Sequence, residues 1–172
     1  MLASKGWQLF VLLCVVPFVA MFAAMFSRSL VPSAVVAGSF TWLVLSWYWS
    51  IGSFLNSVLD VHLRLSSPRL TLATLYPVLY IPVFLWFFSE PGVPNPELIV
   101  PLHLMAMLCM FYVIYFVAKA LTMVQRGRSV SFSDYVPTFL LLWLYPIGVW
   151  IVQPEINRVY QSSNQNAPNP QS

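Results

Sequence analysis

The sequence predicts an all-α fold: a polytopic membrane helix bundle with five transmembrane helices, N-terminus in the cytoplasm and C-terminus outside. Three observations predict it. Of the 172 residues, 59% are hydrophobic and only 8% are charged, against about a quarter charged in a soluble domain. A chain this short has too little interior to hide that much apolar surface from water. The apolar residues also fall into five runs, each close to the roughly 20 residues that cross a bilayer. Such a composition excludes disorder everywhere except at the far C-terminus, and a net charge of +3 is no nucleic-acid signature.

The first span is 7–26, which carries no charge. Lys5 ahead of it gives it the look of a signal peptide. Its apolar run exceeds the usual ~7–15 residues, however, and no small-residue cleavage pattern follows, so it reads as a retained helix. The second span is 34–55 and the third 70–88, both uncharged. The fourth, 98–117, contains His103. The fifth, 135–152, carries Pro146 near its middle. Together they make residues 1–160 a single transmembrane domain. The tail 161–172 is polar and proline-bearing and is expected to be disordered.

The connections support this division. The segment SEPGVPNPE (89–97) is a stiff, acidic turn. The segment QRGRSVSFSD (125–134) is basic. Asp134 is expected to cap the fifth helix and to place Pro137 in its first turn, where a missing N–H costs little. In the second loop Asp60, His62 and Arg64 alternate with Val61, Leu63 and Leu65, which suggests an extended or surface-lying segment.

Basic residues set the orientation. With five spans, Lys5, Arg64, Arg69, Lys119, Arg126 and Arg128 share one side, and Arg28 and Arg158 share the other. The N-terminal side is therefore cytoplasmic. If the last segment did not cross, Arg158 would join the inner side, so charge alone does not decide the fifth crossing.

Between helices in lipid, small and hydroxylated residues make the contacts. Ser39, Ser46, Ser50, Ser53 and Ser57 fall on one narrow face of the second span at 3.6 residues per turn. That face is expected to pack against another helix, with Trp47, Tyr48 and Trp49 turned away; a polar substrate path is the alternative. Pro17, Pro77, Pro82 and Pro146 each remove a helical hydrogen bond. The pair Pro77 and Pro82, with Tyr76 and Tyr80, marks a bend that would shape a cavity. Trp7, Trp86 and Trp150 read as an aromatic belt.

Few residues could carry chemistry. His103, Met107 and Met110 share a face of the fourth span. Cys14, Met21 and Met25 share a face of the first. Imidazole, thioether and thiol together suit a soft ion such as Cu(I). The structural alternative is that methionines fill gaps while His103 bonds a tyrosine, serine or carbonyl. Cys14 and Cys109 form no disulfide framework. No span holds an Asp or Glu, which argues against carboxylate proton coupling. Metalloprotease, P-loop and nucleophile-elbow motifs are absent from the sequence.

Several motifs run along the C-terminal half: Pro101-Leu102-His103, Phe111-Tyr112, Phe116-Val117-Ala118-Lys119, Phe132-Ser133-Asp134-Tyr135, Pro146-Ile147-Gly148 and Gln153-Pro154 with Ile156-Asn157. Tyr48-Trp49-Ser50-Ile51-Gly52 and Leu55-Asn56 match more loosely. In these the chain is similar to a group of small uncharacterised bacterial membrane proteins common in the Bacteroidetes lineage. The resemblance covers about 40% of the chain. It implies a multi-span protein of the bacterial cytoplasmic (inner) membrane and brings no activity, cofactor or partner. It directs attention to His103, Lys119, Asp134 and Gln153 as the polar members of the motifs. Lys119 and Asp134 are expected to meet across the inner loop.

The functional expectation is a non-enzymatic accessory or assembly subunit that works through helix contacts, with Ser46, Ser50 and Ser53 as packing residues. Its partners are the lipid bilayer and a membrane protein or second copy, with no cofactor and no nucleic acid. The alternative is a binding or transport protein for a small ligand or soft metal, using His103, Met107 and Met110.

Overall fold

A computed structural model describes residues 6–26, 31–89 and 95–165. These are helical throughout, apart from short connections, and no strand occurs among them. Helix α1 (Gly6–Phe10) continues through one wide π-helical turn (Val11–Val15) into α2 (Val16–Met25). Val16 N–H reaches back to the carbonyl of Val11 just ahead of Pro17, whose ring would clash with a tighter turn. Next come α3 (Val31–Val58), α4 (Ser67–Ser89), α5 (Pro96–Arg126), α6 (Phe132–Trp143) and α7 (Tyr145–Gln165). Lys5, Arg28, the turn 90–94 and the tail 166–172 lie outside the described residues, as do the side chains of Met25 and Trp86.

Local chemistry explains the helix ends. The Asn95 side chain accepts from Glu97 N–H at 3.0 Å, and Pro96 opens α5, where its missing N–H is no loss. The end of α3 is closed by Arg64, which donates to the carbonyls of Leu59 and Ser57, both at 3.1 Å. Asn56 holds the following loop. Leu65 N–H donates to its Oδ1 at 2.7 Å, and its Nδ2 donates to the Leu65 carbonyl and to Ser67 Oγ, both at 2.9 Å. The loop is therefore a single 3-10 turn at Val61–Leu63 with exposed Asp60 and His62, instead of an extended segment.

Helix α4 absorbs both of its internal prolines without ending. Pro82 has no N–H to give the carbonyl of Val78, four residues earlier. Trp42 Nε1 of α3 donates to that carbonyl at 3.0 Å. An orphaned backbone acceptor is thus paired from the neighbouring helix, as an apolar environment requires.

The side-chain pairs give the directions of α3 to α7. Trp42 meets Val78, Trp49 meets Thr71 and Asn56 meets Ser67, so α3 and α4 are antiparallel. Tyr76 meets Leu102, while Phe84 meets His103 and shares a small cavity with Leu98, so α4 and α5 are antiparallel. Arg126 meets Asp134, Tyr115 meets Tyr135, and Phe111 meets Phe139 and Trp143; α6 therefore climbs back along α5. Phe40 meets Tyr145, Trp47 meets Gln153 and Phe54 meets Tyr160, so α7 runs parallel to α3. Gln125 at the end of α5 also reaches Glu155 of α7 at 3.4 Å.

It follows that α6 and α7 run in opposite directions. They form a hairpin with both ends at the end of the bundle that holds the C-terminus of α5. This corrects the expected fifth span: 135–152 is not one helix with a kink but two helices folded back at Leu144 (φ −77°, ψ 54°). The fold-back is so tight that a Cβ on Gly148 would overlap the Leu141 carbonyl; only glycine leaves room there. With 12 residues, α6 rises about 18 Å, short of the ~30 Å of a hydrocarbon core. Helix α7 also continues through Gln165, so the start of the tail expected to be disordered is helical.

The core sits between α3, α5 and the hairpin. From α5 it takes Val113, Phe116, Val117, Ala120 and Leu121, and from α3 Leu45, Trp47, Tyr48, Ile51 and Leu55. Gly52 marks a close approach of α3 to α4 and α5: a Cβ there would lie 2.9 Å from Leu70 and 3.3 Å from Phe116 and Val117. The serine face is corrected by this arrangement. Ser39, Ser46 and Ser57 are exposed and Ser50 and Ser53 only half-buried, while Trp47 and Tyr48 point inward. Burying those broad rings removes far more apolar area than burying a serine would.

One helix among the described residues, Glu97–Arg126, is long and apolar enough to cross a membrane by length and composition. Only 17% of its most apolar stretch is buried inside the molecule. A shorter apolar helix covers Trp7–Ala23.

Candidate functional site

Four polar residues are buried among the described ones, Asn56, Thr74, Thr122 and Gln153, and of these Gln153 lies in the hairpin. Gln153 is fully buried. Its Oε1 accepts from Trp47 Nε1 at 3.3 Å, and its Nε2 donates to Asn157 Oδ1 at 2.9 Å. Tyr48 donates its hydroxyl to the carbonyl of Leu142 at 2.7 Å. That carbonyl lies at the broken end of α6, and Pro146, four residues on, has no N–H to offer it. Two residues of α3 therefore hold both arms of the hairpin, Tyr48 on α6 and Trp47 on α7.

Above the tip lies a cavity of about 560 Å³, walled by Phe10, Cys14, Met21, Phe40, Thr41 and Tyr145 among others. The ring of Tyr145 packs edge-on against Phe40 and Trp47. Its hydroxyl is buried beside the Cys14 thiol and makes no conventional hydrogen bond. Thr41 spends its hydroxyl on the Ala37 carbonyl at 3.0 Å. The described lining holds no carboxylate, imidazole or cation. Such a cavity can hold an apolar body.

The other expected residues are dispersed. His103 sits on the opposite flank, its Nδ1 3.3 Å from the Tyr80 hydroxyl and its ring against Tyr80 and Phe84. This is the tyrosine-bonded alternative. Met107 is exposed and Met110 half-buried. Cys14 and Met21 line the cavity, away from the His103 contacts on α4. The structure thus does not assemble the soft-metal set, and no group of three or more His, Cys, Asp or Glu that could hold an ion occurs among the described residues.

Lys119 and Asp134 do not meet. Lys119 donates to the Tyr115 hydroxyl at 3.1 Å and lies over that ring. Asp134 pairs with Arg126. Nor is Asp134 the helix cap: Ser131 is, and its N–H and hydroxyl both donate to the Asp134 carboxylate at 2.9 Å. These two bonds, then the Arg126 guanidinium, hold the Asp134 carboxyl below its ordinary pKa. With the helix starting at Phe132, Pro137 falls inside α6 and not in its first turn. Trp150 packs on Phe10 at 5.3 Å.

Of the expected residues only Gln153 belongs to the buried polar node. Its partner Trp47 was expected to point away, and Asn157 stood out only as part of a motif. The available signal was the pair Gln153 and Asn157, two amides at i and i+4 on an otherwise apolar helix face. No protein-family model, curated protein or solved structure matches the chain.

Proposed function

We propose that the chain is an integral protein of a bacterial cytoplasmic membrane, crossing it four times through α1–α2, α3, α4 and α5. The α6–α7 hairpin enters from the cytoplasmic side and returns to it. Both termini are then cytoplasmic, which replaces the N-in, C-out arrangement. The single observation that carries this reading is the reversal at Leu144, and charge supports it. With α7 returning, Arg158 joins Lys5, Arg64, Arg69, Lys119, Arg126 and Arg128 inside, leaving Arg28 outside, a sharper positive-inside bias than a fifth crossing gives. The exposed apolar side chains of α5, among them Leu98, Leu104 and Leu108, are the surface expected toward lipid.

Within that setting the protein acts without catalysis, as an accessory or assembly subunit that works through helix contacts. Its buried polar side chains are spent on internal bonds: Gln153 on the hairpin, Asn56 on the loop after α3, and Thr74 and Thr122 on carbonyls of their own helices. The exposed outer faces of α2 and of the first half of α5 offer apolar helix surface to lipid or to another membrane helix. Fractionation without detergent tests the setting: the chain is expected in the membrane pellet, and recovery in the supernatant overturns it. Purification in mild detergent tests the role. A stoichiometric second membrane polypeptide or a second copy is expected, and a monodisperse single chain overturns the subunit reading.

A further inference from the structure

Between α4 and α5 runs an apolar groove of about 640 Å³, walled by Leu72, Leu75, Leu79, Met105 and Cys109, with Arg69 at one end. Arg69 lies in the first turn of α4, at the end of the bundle that holds the basic loops. From position 69 to position 79 the helix rises about 15 Å, half of a ~30 Å hydrocarbon core and hence the depth of one leaflet. The polar end of the groove is cationic. Tyr112 forms part of its wall, on the same groove as Arg69. The ion pairs among the described residues are Arg126 with Asp134 and Arg158 with Glu155, so no carboxylate there neutralises Arg69. An apolar trough one leaflet long, with uncompensated positive charge and a hydroxyl at the membrane-surface end, has the shape and charge of the counterpart to an anionic phospholipid.

We propose that this groove binds one anionic phospholipid of the cytoplasmic leaflet, its phosphate held by Arg69 with Tyr112 and one acyl chain lying along Leu72, Leu75 and Leu79. The site rests on the membrane reading above. Its partner is a lipid, not a free anion, because Arg69 alone at an exposed position would hold phosphate only weakly, whereas the apolar wall adds chain burial.

The test is native mass spectrometry of the full chain in detergent with equimolar dioleoylphosphatidylglycerol and dioleoylphosphatidylcholine. The expected result is retention of the anionic lipid by about fivefold or more over the zwitterionic one, the preference that one basic side chain near a charged lipid supplies. Arg69→Gln should bring the ratio close to one, and Arg128→Gln, in the inner loop away from the groove, should leave it unchanged. Leu79→Trp, which fills the trough without touching a charge, should reduce retention of both lipids. Millimolar inorganic phosphate should displace neither. Equal retention of the two lipids, an equal effect of Arg69→Gln and Arg128→Gln, or displacement by phosphate overturns the site. Failure of the membrane reading looks different, since the chain would then stay in solution without detergent.

Discussion

The two halves of α5 differ sharply although both are apolar. From Val113 to Met123 nearly every side chain is buried, against α3, α4 and the hairpin. From Leu98 to Leu108 only Ala106 is. The sequence composition of the halves does not predict this; the hairpin does. Helix α6 rises along the C-terminal half of α5 and α7 folds back at Leu144, so only that half gains a further packing layer. The outer half keeps bare α-helices and the cavity above the hairpin tip. Stability should therefore be concentrated in the inner half, and apolar side chains in the outer half should answer to the solvent instead of to a core.

The strongest way to break this comparison is to make one substitution in both halves. Leu121→Ala should cost about 3 kcal/mol, within the range for a buried leucine. Leu108→Ala should cost less than about 0.5 kcal/mol, as for an exposed position. Unfolding in detergent micelles measures both, and equal costs would erase the distinction. Next in size is Gln153→Leu, which strands the Trp47 indole N–H and removes one hydrogen bond from Asn157. We expect a loss of about 1–2 kcal/mol. In a Trp47→Phe background the same change should cost less, because one stranded group is already gone.

The amount of this that could be read from the sequence differs between regions. The helical class and the approximate positions of α3, α4 and α5 follow from the apolar runs, although α5 runs on to Arg126, past the expected end at 117. The hairpin does not follow. A run of 18 apolar residues at 135–152 with one proline is compatible with a crossing helix, and periodicity carries no information about a reversal. The clue was Pro146 followed by Gly148: a missing donor, then the one residue small enough for the backbone to fold onto itself. The serine face misled because hydroxyls were weighed above ring area. Trp47 and Tyr48 go inward because each brings both a large apolar surface and a donor for a buried acceptor. The Arg126–Asp134 pair was also hidden, since Asp134 had two cations within reach and the capping box at Ser131 decided which one it faces.

Two smaller effects sharpen the picture. Trp42→Phe removes the donor that satisfies Val78 and should cost about 1 kcal/mol or less. In a Pro82→Ala background the helix supplies its own N–H to that carbonyl, and the cost of Trp42→Phe should vanish. A double-mutant cycle in unfolding free energy checks this, and an unchanged cost would show that the indole does not serve the proline gap. The smallest effect is at the start of α6. Because its folded pKa is depressed, Asp134 stabilises the cap at pH values above its unfolded pKa, and that contribution is lost as pH falls through the folded value, below about pH 4. Hydrogen exchange at the first turn of α6 should quicken there, and Asp134→Asn should remove the pH dependence while leaving the turn weakened at neutral pH.

The hairpin itself is tested most directly by the side of the membrane on which α7 ends. In a chain with Cys14 and Cys109 replaced by alanine, Ser162→Cys and Ser129→Cys are labelled in turn with a membrane-impermeant maleimide, in right-side-out and in inverted vesicles. Both positions should react only in inverted vesicles, since the loop before α6 and the end of α7 share the cytoplasmic side. Labelling of Ser162→Cys from the outside while Ser129→Cys reacts from the inside would mean that the fifth segment crosses, and the re-entrant hairpin would have to be abandoned.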